Sequence, residues 1–393
     1  MMTQSNRAGV YIQQPSGYNA FIPSPLPPNP PIQLEGELQT ILSEADQALG
    51  RLDGSITIIP NPDLFVAMYV RKEAVLSSQI EGTQSSLQNL LEAEAEILSE
   101  TAPKDVAEVI NYVKAMNYGL ERLNELPLSV RLIREIHSIL LQNVRGRHAS
   151  PGELRQSQNW IGPEGCTLRE AVFVPPPPFY VPQALSDWEK FLHAQIDIPL
   201  LIKIGLAHAQ FETIHPFLDG NGRLGRLLVT LLLCEKNLIK QPIFYLSYFF
   251  KKHRAKYYKL LQKVREENDW DKWIKFFLQG VIETSQDAFE TAMRLMHLMK
   301  TDLEKIRTLG KASKSVERVF TYLQRKPIIG IPELSSSLKL SPHTIKLSLD
   351  YLETLGVIKE ITGLRRGMTY TYDKYLSILR EGDEPLYQVR QWL

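Results

Sequence analysis

The stretch of this sequence best equipped for chemistry is residues 215–226, HPFLDGNGRLGR. His215 titrates near neutral pH and is therefore suited to act as a general base. Asp219 is suited to hold a hard cation such as Mg²⁺ through one carboxylate oxygen, with phosphate oxygens and water completing the coordination. Residues 220–222, Gly-Asn-Gly, tolerate positive φ, so backbone N–H groups can gather at the start of the following helix and bind an anion.

Two arginines lie in the first turns of that helix. Arg223 and Arg226 are three residues apart and share one helix face, where the helix dipole disfavours cations unless an anion is nearby. Their position therefore predicts an anionic ligand. Taken singly, each of these residues has an ordinary structural explanation. Together they provide the base, metal carboxylate, anion site and clamps that phosphoryl or nucleotidyl transfer needs.

Other known site chemistries do not fit this stretch. A GxxxxGK[ST] loop is absent, and no β-strand pattern precedes the glycines as it does in a dinucleotide fingerprint. HExxH is also missing, which leaves zinc hydrolysis without support.

A second unusual feature is the segment 77–82, SSQIEG, which ends a helical pattern that begins near Asp63. Gly82 is a suitable C-cap for this helix. Glu81 lies at the helix C-terminus, where the dipole disfavours a carboxylate, so a compensating cation is expected and Arg226 is the candidate. The alternative interpretation is a solvated surface glutamate.

Residues 215–226 resemble the signature of the Fic family, HPFx[D/E]GNGRxxR, and match it at every defined position. The resemblance extends over about residues 35–290, including the Gly-Glu-Leu-Arg run at 152–155. It implies a protein adenylyltransferase that transfers AMP from ATP to Ser, Thr or Tyr hydroxyls of target proteins, itself included. His215 would be the base and Asp219 the Mg²⁺ ligand, while Arg226 would hold the γ-phosphate. The nucleotide-binding residues that it implies are Gly220, Asn221, Gly222, Arg223, Leu224, Gly225, Arg226, Tyr257 and Tyr258.

The resemblance also implies a base pocket and a flap for the target protein. Tyr257 and Tyr258 would flank the adenine, although tyrosines in a helix core are the alternative. Some relatives have an asparagine seven residues after the second tyrosine; this chain has Arg265 there, so no adenine hydrogen bond is assigned to it. The flap would bind the target backbone like an added strand. Its residues would be Glu170, Ala171, Val172 and Phe173.

The segment 77–82 resembles the inhibitory pattern of the same family, [S/T]xxxE[G/N], with Ser77 and Glu81 at the required positions. This resemblance implies that Glu81 competes for the γ-phosphate site at Arg226. A preference of about 3 kcal/mol for the inhibited state would lower the competent population roughly 100-fold. Use of another donor, or removal of AMP by the same enzyme, remains open.

Composition sets the broad class. With 393 residues, 44% of them hydrophobic, the chain is expected to fold into more than one unit. The 45 basic and 44 acidic residues nearly cancel, so no global field favours nucleic acid or membrane. Two cysteines without CxxC spacing argue against disulfides and thiolate metal sites. With no apolar signal segment or spanning stretch, a cytoplasmic protein without membrane contact is expected.

The elements that must position these residues are mainly helical. We predict a mainly α fold, in which a Fic-type helical bundle with a short β-hairpin flap is followed by a small winged helix-turn-helix domain. The predicted regions are a Pro-rich N-terminal arm (1–33), an N-terminal helical region with the inhibitory helix (34–102), a Fic catalytic core (103–300), a linker (301–312), a winged-helix domain (313–375) and a C-terminal tail (376–393). The arm is either mobile or laid over the core.

The C-terminal domain has helix patterns at 316–323, 331–338 and 341–355, and strand patterns at 356–361 and 368–372. It resembles a winged helix, in which His343, Lys346, Arg365 and Arg366 would meet DNA phosphates. Acidic neighbours, Asp350, Glu353 and Glu360, dilute that charge, so protein docking or support of a homodimer is favoured over DNA binding. A competing hypothesis for the whole chain is a DNA-binding regulator that uses the core as a nucleotide sensor.

Overall fold

The computed structural model describes residues 6–56, 59, 62–96, 103–144, 150–163, 165–364 and 367–386. These residues form fifteen α-helices and five short β-strands, which confirms the predicted mainly α fold. None of the helices in these residues combines the length and the apolarity that a membrane span requires.

The N-terminal arm lies over the core as a β-hairpin. Strands β1 (Gly9–Gln13) and β2 (Asn19–Pro23) pair antiparallel. The N–H of Phe21 donates to the carbonyl of Val174 (2.9 Å), and the ring of Phe21 is buried. Of the two states expected for the arm, the described residues therefore adopt the docked one.

The N-terminal half of the bundle surrounds one central helix. Its helices are α1 (Glu37–Ser55), α2 (Pro62–Ile80), α3 (Leu87–Glu94), α4 (Val106–Arg122) and α5 (Val130–Leu140). The second half of α2 is buried on nearly every residue, because helices pack against it from several sides. Gly82 follows α2 with φ of 97°, a conformation that favours glycine and ends the helix.

The candidate chemistry lies in the second half of the bundle. Its helices are α6 (Val181–His193), α7 (Leu200–Ile214), α8 (Asn221–Glu235), α9 (Ser247–Lys252), α10 (Arg254–Glu267) and α11 (Trp270–Arg307). Every residue of α7 after the first is buried. Two tryptophans fix it from opposite sides, since Trp188 Nε1 donates to the carbonyl of Ala207 and Trp273 Nε1 to that of Gly205, each at 2.8 Å. The C-terminus of α7 is therefore a rigid support.

Helix α11 corrects the predicted boundary between core and linker. It continues past residue 300 to Arg307, so the residues from 301 to 307 are helix and not linker. The reason is packing against the C-terminal region. Asp302 is fully buried and accepts a hydrogen bond from the hydroxyl of Tyr372 (2.7 Å), and Ile306 is buried as well.

The C-terminal region contains α12 (Ser313–Arg325), β3 (Ile328–Gly330), α13 (Ile331–Leu338), α14 (Pro342–Thr354), β4 (Lys359–Glu360), β5 (Thr369–Thr371) and α15 (Asp373–Leu379). The strands form an antiparallel sheet in the order β3-β5-β4. Strand β3 was not predicted, because only three residues precede a helix that starts with Ile-Pro. The winged-helix assignment stays a prediction, and Arg365 and Arg366 lie outside the described residues.

The chain beyond α15 folds back onto the end of α2. The carbonyl of Asp383 accepts from Gln79 Nε2 (2.7 Å), and its carboxylate accepts from the N–H of Leu87 at the start of α3 (2.9 Å). Lys251 Nζ donates to the carbonyls of Gly382 (3.0 Å) and Glu384 (2.5 Å). Residues 380–386 thus join the C-terminal region to the predicted inhibitory segment.

Candidate active site

His215 lies just beyond α7, in the left-handed conformation with φ of 47°. Its N–H still closes the last turn of the helix on the carbonyl of Phe211 (3.0 Å). The ring Nδ1 lies 3.3 Å from the carbonyl of Glu212, an acceptor, so the proton is assigned to Nδ1. This leaves Nε2 with a free lone pair, which a general base requires.

The turn between α7 and α8 is held by side-chain amides and a guanidinium. Asn221 Oδ1 accepts from the N–H of Phe217 (2.9 Å), and Asn221 Nδ2 donates to the carbonyl of Phe217 (2.8 Å). Arg155 Nε donates to the carbonyl of His215 (2.8 Å), and Asn159 Nδ2 donates to that of Phe217 (2.9 Å). These bonds satisfy buried backbone groups and fix the strained backbone of His215.

A second histidine supports the turn from α5. His137 Nδ1 accepts from the N–H of Gly152 (2.8 Å), so its Nε2 carries the proton and donates to the carbonyl of Asp219 (2.9 Å). Burial lowers the pKa of His137 to about 4, which keeps this tautomer neutral. Sequence reasoning missed His137 and Asn159. His137 falls on the buried face of the amphipathic α5, which is the one sequence signal for it.

The electrostatics of the site keep His215 neutral. Burial lowers the pKa of this imidazole to about 4, and the positive charges of Arg265 and Arg155 lower it further in the same direction. At neutral pH the ring is therefore unprotonated and able to accept a proton.

The start of α8 offers an anion site. Gly220 has φ of 77°, and the first bond within the helix joins the N–H of Leu224 to the carbonyl of Gly220 (3.0 Å). The N–H groups of residues 221–223 precede that bond and lie at the positive end of the helix dipole. Asp219 stands beside them, with Oδ1 accepting from the N–H of Gly220 (2.6 Å).

Asp219 is the carboxylate in place for a metal ion. It lines the cavity at the start of α8. Among the described residues no group of three or more His, Cys, Asp or Glu could hold a metal ion. A single carboxylate is the protein contribution typical of Mg²⁺ bound with substrate phosphates, so this donor set fits that ion only in the presence of a phosphate ligand.

The two arginines of α8 have different partners. Arg223 Nη1 donates to Glu108 (2.9 Å) in a buried ion pair. Arg226 Nη2 donates to Glu81 Oε1 (2.6 Å) and to the carbonyl of Ser77 (2.9 Å), while its Nε donates to the hydroxyl of Ser77 (2.9 Å). The structure therefore brings together both residues of the predicted inhibitory pattern and the arginine that sequence reasoning assigned to them.

The carboxylate of Glu81 lies beside the start of α8 as well as against Arg226. Burial would raise its pKa, but the charge and hydrogen bond of Arg226 outweigh burial and hold the pKa below its usual value. A Cβ at Gly222 would collide with Glu81 Oε1, so the carboxylate lies against the first turn of α8. Arg226 is 1% exposed and Glu81 31% exposed, so the acid can leave toward solvent more easily than the base.

Two adjoining cavities surround these groups. The smaller, of about 220 Å³, is lined by His215, Asp219, Arg226, Glu81 and the first turn of α8. The larger, of about 810 Å³, lies between α10 and the flap segment, which we define as residues 161–173.

The predicted base-pocket tyrosines divide between cavity and core. Tyr258 lines both cavities. Tyr257 is fully buried, and its hydroxyl bonds to His208 Nε2 (2.9 Å) among core aromatic rings. The assignment of Tyr257 to the nucleotide is therefore corrected to the stated alternative, a tyrosine of the helix core. Successive helix residues point about 100° apart, and of these two rings only that of Tyr258 lines the cavities.

The flap segment contains less strand than predicted. Its only pairing in the described residues is one antiparallel bridge, with Ile161 N–H to the carbonyl of Phe173 (2.8 Å) and Phe173 N–H back to Ile161 (3.0 Å). Prolines at 175–178 provide no N–H donors, so the ladder stops there. Phe173 has already used its backbone groups and is buried, and the N–H of Glu170 donates to the carbonyl of Thr167 (3.0 Å). A target strand would therefore have to use the carbonyl of Glu170 and the backbone of residues 171 and 172, of which Val172 is 55% exposed.

Comparisons with known proteins agree with this architecture. Residues 39–121 match the family model described as Fic/DOC family N-terminal, and residues 127–233 match the one described as Fic/DOC family. These two segments of the chain are therefore domains of the Fic/DOC type. A Fic family protein from Desulfovibrio desulfuricans has a similar fold, with a TM-score of 0.55 and 19% identity over 87% of this chain and 97% of that one. A Fic domain containing signaling protein from Bacteroides thetaiotaomicron gives a TM-score of 0.52 and 20% identity over 64% and 97% of the two chains.

The curated relatives are named for one activity. A probable protein adenylyltransferase of Aquifex aeolicus is 28% identical over 51% of this chain and 57% of its own length. Protein adenylyltransferase Fic of Drosophila willistoni is 27% identical over 58% of this chain and 41% of its own length. The chain thus spans about half the length of the curated relatives it matches.

Proposed function

We propose that this protein is a protein adenylyltransferase that transfers AMP from ATP to a Ser, Thr or Tyr hydroxyl of a protein, including its own chain. One observation carries the proposal: a neutral imidazole is fixed at the mouth of a cavity whose floor is a helix N-terminus and a buried arginine. The names of the relatives support the same reaction.

Each group of the site has a part in the proposed reaction. Nε2 of His215 accepts the proton of the target hydroxyl, whose oxygen attacks the α-phosphorus of ATP as the bond from that phosphorus to the pyrophosphate oxygen breaks. The N–H groups at the start of α8 stabilise the charge on the phosphate oxygens. Asp219 would hold Mg²⁺, which when bound neutralises charge on the phosphates. Residues 170–172 would bind the backbone of the target.

Glu81 is proposed to inhibit the enzyme by competition. Its carboxylate carries the charge of a phosphate group and bonds to Arg226, so ATP cannot place its γ-phosphate there while Glu81 stays. Release of Glu81 exposes both the guanidinium and the first turn of α8. Lys346, a candidate for DNA contact, already pairs with Asp350 and Tyr370.

Intact-mass measurement tests the proposal. The unmodified chain and the Glu81→Gly variant are incubated with ATP and Mg²⁺, and the variant is expected to gain one AMP per modified hydroxyl much faster. A variant that carries Glu81→Gly together with His215→Ala is the matched control and should gain none. No AMP on any of the three proteins, or equal gain on all of them, contradicts the proposal.

A further inference from the structure

The two cavities of the site share one stretch of wall. Of the residues that line them, Ile161, Glu212 and Tyr258 line both. The smaller cavity contains the anion-binding groups, and the larger contains the aromatic ring of Tyr258 and the apolar side chains of the flap segment. A nucleotide that places its phosphates in the first and its base in the second must pass its ribose along this shared wall.

We propose that Glu212 recognises the ribose of the nucleotide by accepting a hydrogen bond from its 2′- or 3′-hydroxyl. This inference rests on the proposed function, because it assumes that a nucleoside triphosphate occupies both cavities. It goes further by naming the residue that selects ribonucleotides over deoxyribonucleotides.

The first support is a buried oxygen of Glu212 that has no hydrogen-bond donor among the described residues. Glu212 is 6% exposed, and no donor among the described residues lies within hydrogen-bonding distance of its buried Oε1. A buried carboxylate oxygen without a donor is unfavourable, and native proteins keep few of them outside functional sites. Burial raises the pKa of Glu212 to about 7, against the opposing charge of Arg226. Both observations describe a carboxyl group that gains from a hydroxyl partner.

The second support is the position of the carboxyl group. Glu212 lies in the last turn of α7, three residues before His215, so both side chains start from the same rigid helix end. A Cβ at Gly225 would collide with Glu212 Oε1, so the glycine in α8 leaves the room that this carboxyl group occupies. The glycine at 225 therefore has a physical role, which is to leave room for this carboxyl group between α7 and α8.

The chemistry of the acceptor selects among the parts of the nucleotide. The phosphate oxygens of ATP carry no hydrogen to donate, so the accepting oxygen of Glu212 cannot bond to them. The donors of ATP are its ribose hydroxyls and the exocyclic amino group of adenine. The ribose is favoured because it lies between the phosphates and the base, as Glu212 lies between the two cavities.

The test compares nucleotides on the full-length Glu81→Gly variant, in which Arg226 is available. Isothermal titration calorimetry gives the Kd of ATP, 2′-deoxy-ATP, 3′-deoxy-ATP and purine riboside triphosphate, which lacks the amino group. At pH 8, above the pKa of about 7 to which burial raises Glu212, ATP should bind about tenfold more tightly than at least one deoxy analogue, the effect of one hydrogen bond to a charged acceptor. Purine riboside triphosphate should show no loss that depends on Glu212.

Two further variants assign the selectivity to the residue. Glu212→Leu keeps the approximate volume and removes the acceptor, so the ratio of the deoxy-ATP Kd to the ATP Kd should fall to about one. Glu212→Gln keeps an uncharged acceptor and should give an intermediate ratio. Glu266→Gln is the matched control, because Glu266 lines only the larger cavity and is exposed there. Its ratio should stay near ten.

The outcomes separate this inference from the proposed function. Equal affinity of the Glu81→Gly variant for ATP and both deoxy analogues, with AMP transfer intact, overturns the role of Glu212 alone. So does a tenfold ratio that persists in Glu212→Leu, or a Glu212-dependent loss seen only with purine riboside triphosphate. If Glu212→Leu does not fold, the ratios of the deoxy-ATP Kd to the ATP Kd in the Glu81→Gly parent and in Glu212→Gln still test the role of Glu212. Absence of both ATP binding and AMP transfer removes the proposed function as well.

Discussion

Two helix ends in this molecule each carry an ionisable side chain, and they are held in different ways. His215 follows α7 and is fixed by neighbours in the same turn, chiefly Asn221, and by Arg155 and Asn159. Glu81 follows α2 and is fixed by Arg226, which lies 145 residues away in sequence. Several hydrogen bonds thus hold the backbone at His215, whereas the side chain of Glu81 is held by one ion pair.

The two helix ends differ in how easily their side chains can move. The turn after α7 is buried and satisfies its own backbone groups, so moving His215 would break several hydrogen bonds together. The end of α2 is less enclosed. The side chain of Glu81 is 31% exposed and can exchange Arg226 for water. In the proposed function, the base and the inhibitory acid would therefore lie on helix ends of different rigidity.

The largest effect on activity is expected from a substitution in the turn that holds His215. Asn221→Ala leaves the N–H of Phe217 buried without its acceptor, which should lower the free energy of unfolding by about 2 kcal/mol. Displacement of His215 should lower AMP transfer at least about 100-fold in the Glu81→Gly background. Urea unfolding and incorporation of labelled ATP measure the two effects. Asn124→Ala, at an exposed asparagine, is the control, and full activity of Asn221→Ala would refute the rigid-turn account.

The next largest effect is expected from removing the ion pair between Glu81 and Arg226. Glu81→Gly should raise the initial rate of AMP incorporation about 10- to 100-fold, which corresponds to one or two hydrogen bonds to a charged group. Glu81→Gln keeps the shape of the side chain without its charge, so its rate should fall between those of the unmodified chain and Glu81→Gly. Glu94→Gln, which breaks the ion pair with Arg71 elsewhere on α2, should change nothing. An unchanged rate in Glu81→Gly would leave the block without its proposed cause.

A smaller effect is expected from changes in residues 380–386, which pack against the end of α2. Asp383→Ala removes the acceptor for the N–H of Leu87 and loosens the contact of residues 380–386 with Gln79. Loss of about 1 kcal/mol of support should raise AMP incorporation roughly two- to fivefold in the otherwise unmodified chain. Glu384→Ala is the control, since its contact with Lys251 uses the backbone carbonyl. Equal rates for both variants would mean that the tail does not hold α2.

The smallest effect is expected from pH. The pKa of His215 is lowered to about 4 by burial and then by Arg265 and Arg155, so protonation removes the base only as pH falls toward 4. With saturating ATP, the rate of the Glu81→Gly variant should change by less than about twofold between pH 6 and 8. A histidine with its ordinary pKa would lose about three quarters of its neutral form at pH 6. A fourfold fall between pH 8 and 6 would therefore contradict the neutral assignment.

Sequence reasoning succeeded where a function depends on neighbours in the chain. The motif at 215–226 and the segment at 77–82 predicted the turn, the helix end and the partners Glu81 and Arg226. It did not find His137 or Asn159, which reach the turn from elsewhere in the fold. It did not single out Glu212 either, although a spacing of three residues from His215 puts both at one helix end.

Two predictions from the sequence were wrong, the place of Tyr257 and the end of α11, and both depend on tertiary packing. Tyr257 and Tyr258 are equivalent in sequence, and only the packing of α10 decides that one ring joins the core and the other the cavity. The helix α11 runs beyond the predicted boundary because Asp302 finds a buried partner in Tyr372. A contact between distant segments leaves no periodic signal in either of them.

The sequence by itself determined the chemical groups, the local turns and the mainly helical fold, because these depend on residue types and on spacing within a few residues. The tertiary structure alone decided which groups meet: the carboxylate on Arg226, the tail on Gln79, and the wall that both cavities share. These contacts join residues far apart in the chain, and close packing of the whole bundle selects them.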